Sequence, residues 1–333
     1  MSNRLNTNNS ILDFRFIDIF KFFCSFLIIG IHTAPFLNFG ILDSAFGMLT
    51  RIAVPFFFVS SSFFLFKKEF SWKRIGNYCK RMLLLYAVYS LFYVIYELIS
   101  GQFVLNVFLV KFFLSGYQHL WFLQQGVIAV LVISLILRLT RKPWMLYVIA
   151  IVCFFIGVLV LTYYPLTRVI PGVEMYRHSF WYNIIFERSW IFYALPYMAM
   201  GYYFAQNGFI KKSVSVIGIV ISYLLLAAES FIGIYLVHVP STVLWFSVFP
   251  LSFCIFSLVS QIQLKAGINT LIFRKLSTLI YCIHLLIIYL LEYLQIPWHL
   301  LLFVLTSVLS LLYGIAVVKL SSLRYLRFLN ILY

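Results

Sequence analysis

Polar side chains recur along one otherwise apolar segment near the N-terminus, "DIFKFFCSFLIIGIHTAPF". The members that could do chemistry are Asp18, Lys21, Ser25 and His32. At about 100° per residue, the eleven steps from Lys21 to His32 return to within ~20° of the same direction, over a rise of about 16 Å. The four side chains therefore share one stripe of a predicted helix. A neutral histidine can accept a proton near pH 7, and ionisable groups inside a membrane are costly, so we expect this stripe to be functional.

Arg51 opens the next apolar run, "RIAVPFFFVSSSFFLFKK". If the second helix runs antiparallel to the first, Arg51 lies at the depth of His32. A guanidinium there can hold a carboxylate, a phosphate or a developing oxyanion. The alternatives are structural: Arg51 snorkels to the interface, Asp18 and Lys21 neutralise each other, and His32 is merely interfacial.

The composition identifies the kind of protein that must position these groups. Hydrophobic residues make up 64% of the chain and charged residues 10%, whereas soluble domains carry about 25% charged residues. The formal net charge is +16, but Lys and Arg occur in short clusters between apolar runs. This pattern is typical of cytoplasmic loops, and it lacks the contiguous basic face of a nucleic-acid-binding protein. The five cysteines are scattered without C-x-x-C spacing, so we predict neither a disulfide framework nor a metal site.

The apolar runs predict an all-α polytopic membrane protein with about ten transmembrane helices and both termini in the cytoplasm. We expect a single domain over 1–333, with a cytoplasmic segment 1–13, a helical bundle 14–318 and a cytoplasmic tail 319–333. The N-terminal segment has no signal-peptide cleavage site, so it is expected to be retained. The predicted helices are 14–37, 45–66, 82–100, 118–137, 144–164, 189–206, 213–231, 243–262, 277–294 and 299–318.

Five segments, in order, resemble the membrane acyltransferase-3 family. They are the Lys21…His32 spacing, "RIAVPFFFVSSSFF" (51–64), "HLWFL" (119–123), "ERSWIFYALPYMAMGYYF" (187–204) and "LIYCIHLLII" (279–288). The resemblance covers essentially the whole chain. One departure is Ser60-Ser61, where family members commonly have Ser-Gly, which puts close helix packing at this point in question.

The resemblance implies a ten-helix fold in the cell membrane that moves an acyl group, usually acetyl, from cytosolic acyl-CoA. The acceptor would be a hydroxyl of a surface polysaccharide or its lipid-linked precursor. By motif, His32 would be the catalytic histidine and Lys21 its basic partner, Arg51 and Arg188 the site arginines, and His284 the ninth-helix histidine. Acyl-CoA is then a donor substrate, no cofactor is bound permanently, and the expected partners are the carbohydrate acceptor, membrane lipid and the polysaccharide-biosynthesis machinery.

The donor is anionic and cytosolic, while the candidate base lies near the opposite surface. A thioester arm along the stripe from Asp18 through Ser25 to His32 would bridge that distance. The nucleotide phosphates would be held by four cations next to the second helix: Lys67, Lys68, Lys73 and Arg74. The alternative is that these four are topology determinants only. Trp121 is a binding candidate whose alternative is a place in the interfacial aromatic belt.

A second function remains open at this point. The membrane domains of racemase-fused resistance proteins, whose assigned role is serine export, also resemble this chain through "IHTAP" and a ten-helix core. No cytosolic catalytic domain follows the last predicted helix in this sequence, which favours the acyltransferase over the exporter.

Overall fold

The computed structural model describes residues 13–167, 190–239, 244–265 and 267–333. These residues fold mostly as helices, and no strand occurs among them. The α-helices, in chain order, are α1 (Arg15–Thr33), α2 (Ile41–Thr50), α3 (Ala53–Phe66), α4 (Trp72–Ile99), α5 (Leu105–Val110), α6 (Trp121–Thr140), α7 (Pro143–Leu161), α8 (Tyr164–Thr167), α9 (Leu195–Asn207), α10 (Lys212–Phe231), α11 (Val248–Ser260), α12 (Leu271–Tyr293) and α13 (His299–Ser321). Short π or 3-10 segments adjoin them at Lys111–Ser115, Gln118–Leu120, Trp190–Ala194, Ile232–Leu236 and Arg324–Leu332.

Eight helical stretches of the described residues are long and apolar enough to cross a membrane. They are Arg15–Thr33, Ile41–Phe66, Trp72–Ile99, Leu105–Thr140, Pro143–Leu161, Lys212–Leu236, Leu271–Tyr293 and His299–Ser321. The all-α membrane fold is thereby confirmed. In the predicted span 189–206, the π segment Trp190–Ala194 runs directly into α9, so the helical stretch covers 190–207. The predicted span 243–262 contains α11, whose 13 residues are fewer than the about 20 needed to span a bilayer. The count of ten and the cytoplasmic location of both termini stay predictions.

The helix α4 begins ten residues earlier than the predicted span 82–100. The basic cluster that includes Lys73, Arg74 and Arg81 therefore lies on the first turns of a helix and not in a loop. Lys and Arg are good helix formers, and their long side chains reach water from a helix that extends beyond the apolar boundary. A hydropathy boundary therefore underestimates the length of this helix.

The helices α3 and α9 pack closely at the centre of the bundle. The Ser62 hydroxyl donates a hydrogen bond of 2.6 Å to the Met198 carbonyl. A Cβ atom at Gly201 would overlap the carbonyl oxygen of Val59, so only glycine fits there. Ser60 instead donates to Phe57 in its own helix. The close approach that the Ser60-Ser61 departure put in question is thus provided by a glycine on the facing helix.

The segment predicted as a cytoplasmic tail folds back onto the bundle. Residues Arg324–Leu332 form a 3-10 helix, and the Tyr89 hydroxyl of α4 donates to the Leu332 carbonyl at 3.2 Å. Lys275 of α12 donates to the Tyr333 hydroxyl at 3.1 Å. The C-terminus is therefore part of the folded unit.

Candidate functional site

His32 lies in the last turn of α1 because the helix ends directly after it. Ala34 adopts the left-handed conformation, with φ of 43°, and its N–H bonds to the Gly30 carbonyl. The imidazole of His32 is exposed. Its ring centroid lies 5.3 Å from that of His284 on α12 and 6.3 Å from that of His119, in the turn before α6. His119 and His284 are 4.5 Å apart. We call these three residues the histidine cluster.

Main-chain carbonyls of α12 hold two of the three rings. Nδ1 of His284 lies 2.8 Å from the Tyr281 carbonyl oxygen, and Nε2 of His119 lies 2.6 Å from the same oxygen. The Tyr281 hydroxyl in turn donates to the His119 carbonyl. A carbonyl only accepts, so these ring nitrogens carry hydrogen. In its neutral form His284 therefore presents a bare Nε2, which is buried and has no hydrogen-bond partner among the described residues.

A cavity of about 460 Å³ lies near the opposite end of α1. We call it the Lys21 cavity. Its charged lining consists of four cations and one carboxylate: Lys21, Arg74, Arg81, Arg274 and Asp18. Its wall also includes Tyr281, the residue that contacts the histidine cluster. One tyrosine thus borders both the positively charged cavity and two members of the histidine cluster, His119 and His284.

The carboxylate of Asp18 pairs with side chains at the start of α12. Nε and Nη2 of Arg274 each lie 2.9 Å from one of its oxygens, and the Thr270 hydroxyl donates at 3.2 Å. The side chain of Asp18 is 2% exposed. This bidentate pair joins α1 to α12. Asp18 therefore forms its salt bridge with Arg274, and not with Lys21 as in the structural alternative. The Lys21 ammonium instead lies 5.4 Å from the centre of the Phe57 ring.

The other stripe residue, Ser25, is fully buried and donates to the Phe22 carbonyl at 2.6 Å. It is not part of the lining of the Lys21 cavity. The stripe predicted from helical spacing therefore exists on α1, but its members face different surroundings.

Arg51 directly follows α2 and is half-buried. The Tyr193 ring lies 5.5 Å from that of Trp121, which also contacts Phe58 at 6.1 Å. Trp121 thus packs against aromatic rings of two other segments within the bundle. The second candidate arginine, Arg188, lies outside the described residues.

The four cations predicted to hold the nucleotide phosphates separate in the structure. Arg74 lines the Lys21 cavity, with Nη1 donating to the Glu69 carbonyl at 2.8 Å. Lys67 and Lys68 line a second cavity. Lys73 is exposed and lines neither. Basic residues that are close in sequence at the junction of α3 and α4 therefore line different cavities. Their clustering in the sequence does not predict this separation.

Three residues at these sites were not predicted from the sequence as site residues: His119, Arg81 and Arg274. His119 stands in "HLWFL", so its motif was visible, but its place beside His284 depends on the packing of α12. Arg81 and Arg274 were visible only as members of basic clusters. In the described part of the chain, no group of three or more His, Cys, Asp or Glu side chains is placed to hold a metal ion.

Comparison with known proteins gives two similar curated relatives from Enterococcus faecalis, both named amino-acid racemase. One is 28% identical over 216 residues, which are 59% of this chain and 29% of the relative. The other is 26% identical over 235 residues, 66% of this chain and 33% of the relative. The chain spans about a third of the length of these curated relatives. No solved structure matches it.

A family comparison covers far more of the chain. The Acyl_transf_3 family model, described as an acyltransferase domain, matches residues 14–320. This match confirms the resemblance that the five motifs indicated. The chain is a multi-pass membrane protein, and it belongs to the acyltransferase-3 family.

Proposed function

We propose that this protein transfers an acyl group, usually acetyl, from cytosolic acyl-CoA to a hydroxyl of a surface polysaccharide or its lipid-linked precursor. The observation that carries the proposal is the position of Tyr281 between the cavity and the histidine cluster. This residue lines the positively charged Lys21 cavity and also contacts His119 of the histidine cluster. An anionic donor and a basic imidazole would therefore meet through one continuous part of the bundle.

The Lys21 cavity is the proposed donor site. Arginine and lysine side chains bind phosphates as forks and point charges, respectively. Of its four cations, Arg274 is already paired with Asp18, which leaves Lys21, Arg74 and Arg81 to attract the CoA phosphates. The aromatic wall, with Phe57 and Tyr281, suits the pantetheine arm. Acyl-CoA is a substrate here, and the chemistry proposed below uses only side chains of the chain.

His32 is the proposed general base. Its imidazole accepts the proton of the acceptor hydroxyl while the hydroxyl oxygen bonds to the thioester carbonyl carbon. The tetrahedral intermediate then collapses, the C–S bond breaks, and the CoA thiolate takes the proton back from the imidazolium. The products are an ester and free CoA, and His32 returns to its neutral form. Base catalysis of this kind contributes about 10²–10⁴-fold.

Arg51 is the proposed stabiliser of the oxyanion in that intermediate, with Arg188 as a second candidate from its motif. A guanidinium offers two parallel N–H donors to developing negative charge. Arg51 is half-buried, which supports a position inside the bundle over simple snorkelling. His284 and Trp121 are proposed to shape the space around the reacting groups.

The acceptor and the cellular setting follow from the family resemblance. With both termini cytoplasmic, the C-terminal end of α1 faces the outside of the cell membrane, where surface carbohydrate is available. The exposed His32 suits an acceptor that arrives from that side. Work alongside polysaccharide-biosynthesis proteins is part of this proposal. The serine-export alternative gains no support from the relatives, whose name describes a racemase.

The proposal is tested with membranes of cells that produce this chain, supplied with acetyl-CoA labelled in the acetyl group. We expect label in the surface or lipid-linked glycan fraction, in proportion to the amount of the chain, and none in membranes without it. Vesicles containing the purified protein and loaded with labelled serine provide the second arm. Serine efflux together with an unlabelled glycan fraction would overturn the acyltransferase assignment in favour of transport.

A further inference from the structure

The second basic cavity lies at the junction of three helix ends. Its volume is about 560 Å³, within the about 300–1,000 Å³ usual for ligand sites. Residues after α3, at the end of α6 and near the end of α9 line it. It shares no lining residue with the Lys21 cavity. We call it the Arg138 cavity.

The Arg138 cavity carries an excess of positive charge. Lys67, Lys68, Arg138 and Arg141 line it, and Glu69 is its one carboxylate. Among the described residues none of the four cations forms a salt bridge. Burial and the nearby Lys68 both lower the pKa of Lys67. Lys67 and Lys68 therefore repel each other, and an anion bound in the cavity would relieve that repulsion.

The backbone at Arg141 adopts a conformation that is unfavourable for a residue with a side chain. Arg141 follows α6 with φ of 54°, in the left-handed region where glycine is the usual residue. Non-glycine residues in this conformation are uncommon and mildly strained, and such strain concentrates at functional sites. A glycine here would close the α6–α7 turn more easily but would remove a guanidinium from the cavity.

The walls of the cavity are apolar and lie where membrane spans end. The span Ile41–Phe66 ends directly before Lys67, and Leu105–Thr140 ends directly before Arg141. Phe66, Phe70 and Leu137 form part of the lining. Phe70 is 47% exposed, and Leu139, which follows Arg138 in the chain, is 72% exposed. The site thus combines cations at the edge of the membrane with a hydrocarbon-like surface next to them.

We propose that the Arg138 cavity binds the headgroup phosphate of an anionic phospholipid, whose acyl chains follow the adjoining apolar helix surface. Basic pockets between transmembrane helices are suited to such headgroups, and Arg138 and Arg141 can hold phosphate oxygens as forks. A water-soluble phosphate would use the cations but would gain nothing from the exposed apolar surface. The bound lipid would tie the ends of α3, α6 and α9 together.

The test compares phosphatidylglycerol with phosphatidylcholine as probes on the purified full chain. Lipid retained by the protein is measured by native mass spectrometry, and the temperature of unfolding is measured with each lipid. We expect selective retention of phosphatidylglycerol and a higher unfolding temperature with it. Arg138→Gln/Arg141→Gln should reduce that retention about 30-fold, on the scale of two cation–headgroup contacts. The matched control, Arg324→Gln/Arg327→Gln, removes two exposed cations from the C-terminal segment and should leave retention unchanged.

A third variant separates lost binding from lost folding. Arg141→Gly relieves the left-handed backbone, so we expect it to unfold at no lower a temperature than the native protein in phosphatidylcholine, yet to gain less from phosphatidylglycerol. Equal retention of both lipids, or retention unaffected by the paired Arg138/Arg141 change, would overturn the proposal. So would displacement of phosphatidylglycerol by adenosine 3′,5′-bisphosphate, which would assign the Arg138 cavity to the nucleotide of the donor.

Discussion

The histidine cluster and the Lys21 cavity adjoin each other at Tyr281 but are built in opposite ways. In the cluster, ring centroids lie between 4.5 and 6.3 Å apart, and one carbonyl of α12 contacts two of the imidazoles. In the cavity, cations from α1, α4 and α12 line about 460 Å³. Proton transfer needs one lone pair at hydrogen-bond distance, whereas attraction of phosphate sums over several charges. We therefore expect single substitutions to be severe in the cluster and mild in the cavity.

The largest expected effect is that of His32→Asn. Asparagine keeps hydrogen-bonding capacity but has no basic nitrogen, so glycan acylation should fall by about 10²–10⁴-fold. Acetyl-CoA binding should survive, because Lys21 of the proposed donor site lies about 16 Å away along α1. Mass spectrometry of the glycans and a binding measurement on purified protein check the two parts.

The control for this change is His238→Asn. His238 lies outside the cluster and has φ of 54°, a conformation that asparagine tolerates, so acylation should be unchanged. Near-normal acylation by well-expressed His32→Asn would remove the catalytic distinction between the two regions and identify the polar stripe of α1 as a transport path.

The second effect in size is that of Arg51→Lys. An ammonium keeps the charge but cannot reproduce the planar fork of a guanidinium. Loss of one good donor to an oxyanion costs about 10²–10³-fold in kcat, and KM for acetyl-CoA should change little. Arg324→Lys, at an exposed position, is the matched control. An unchanged kcat would return Arg51 to the role of an interfacial anchor.

His284→Gln should have an intermediate effect, because in the proposed mechanism this residue positions the cluster and does not itself accept the substrate proton. Misplacement of a catalytic group by about 1 Å costs on the order of 10²-fold, so we expect kcat to fall by about 10–10²-fold with donor binding retained. The pH profile of kcat/KM should also shift, since the neighbour of the base has changed. A fall in unfolding temperature that accounts for the whole loss would assign His284 a purely structural role.

His299→Gln is the matched control for that variant. Nδ1 of His299 lies 2.9 Å from the Thr33 carbonyl, so this histidine also bonds to a main-chain oxygen, and it lies next to the end of α1. It is outside the cluster. Its substitution should leave both kcat and the pH profile unchanged.

The sequence predicted local features well and long-range pairings poorly, for physical reasons. Helical spacing places Lys21 and His32 on one side of α1, and hydropathy locates the helices. The bond from Asp18 to Arg274 joins residues 256 positions apart, and no periodicity encodes such a pairing. The meeting of His32, His119 and His284 likewise depends on how three separate helical segments pack. Hydropathy does not predict the early start of α4, because four of its first ten residues are basic.

The smallest expected effect is that of replacing the cavity cations. Its measurement distinguishes which of the two basic cavities binds the donor. Arg74→Gln/Arg81→Gln removes two charges from the Lys21 cavity, and Lys67→Gln/Lys68→Gln removes two from the Arg138 cavity. Exposed or half-exposed ion pairs contribute up to about 1 kcal/mol each, so the first pair of changes should raise the Kd for acetyl-CoA by about 5–30-fold. The Kd should also become less sensitive to salt, because fewer phosphate–cation contacts remain to be screened.

The Lys67/Lys68 variant has the same change in net charge and should bind acetyl-CoA as the native protein does. Binding is measured in nanodiscs of phosphatidylcholine, at low and high NaCl, so that an anionic lipid does not contribute to the result. A general effect of positive charge near the membrane would weaken binding equally in both variants. Equal weakening would mean that CoA responds only to the total positive charge at this end of the bundle. The assignment of the donor to the Lys21 cavity and of lipid to the Arg138 cavity would then be wrong.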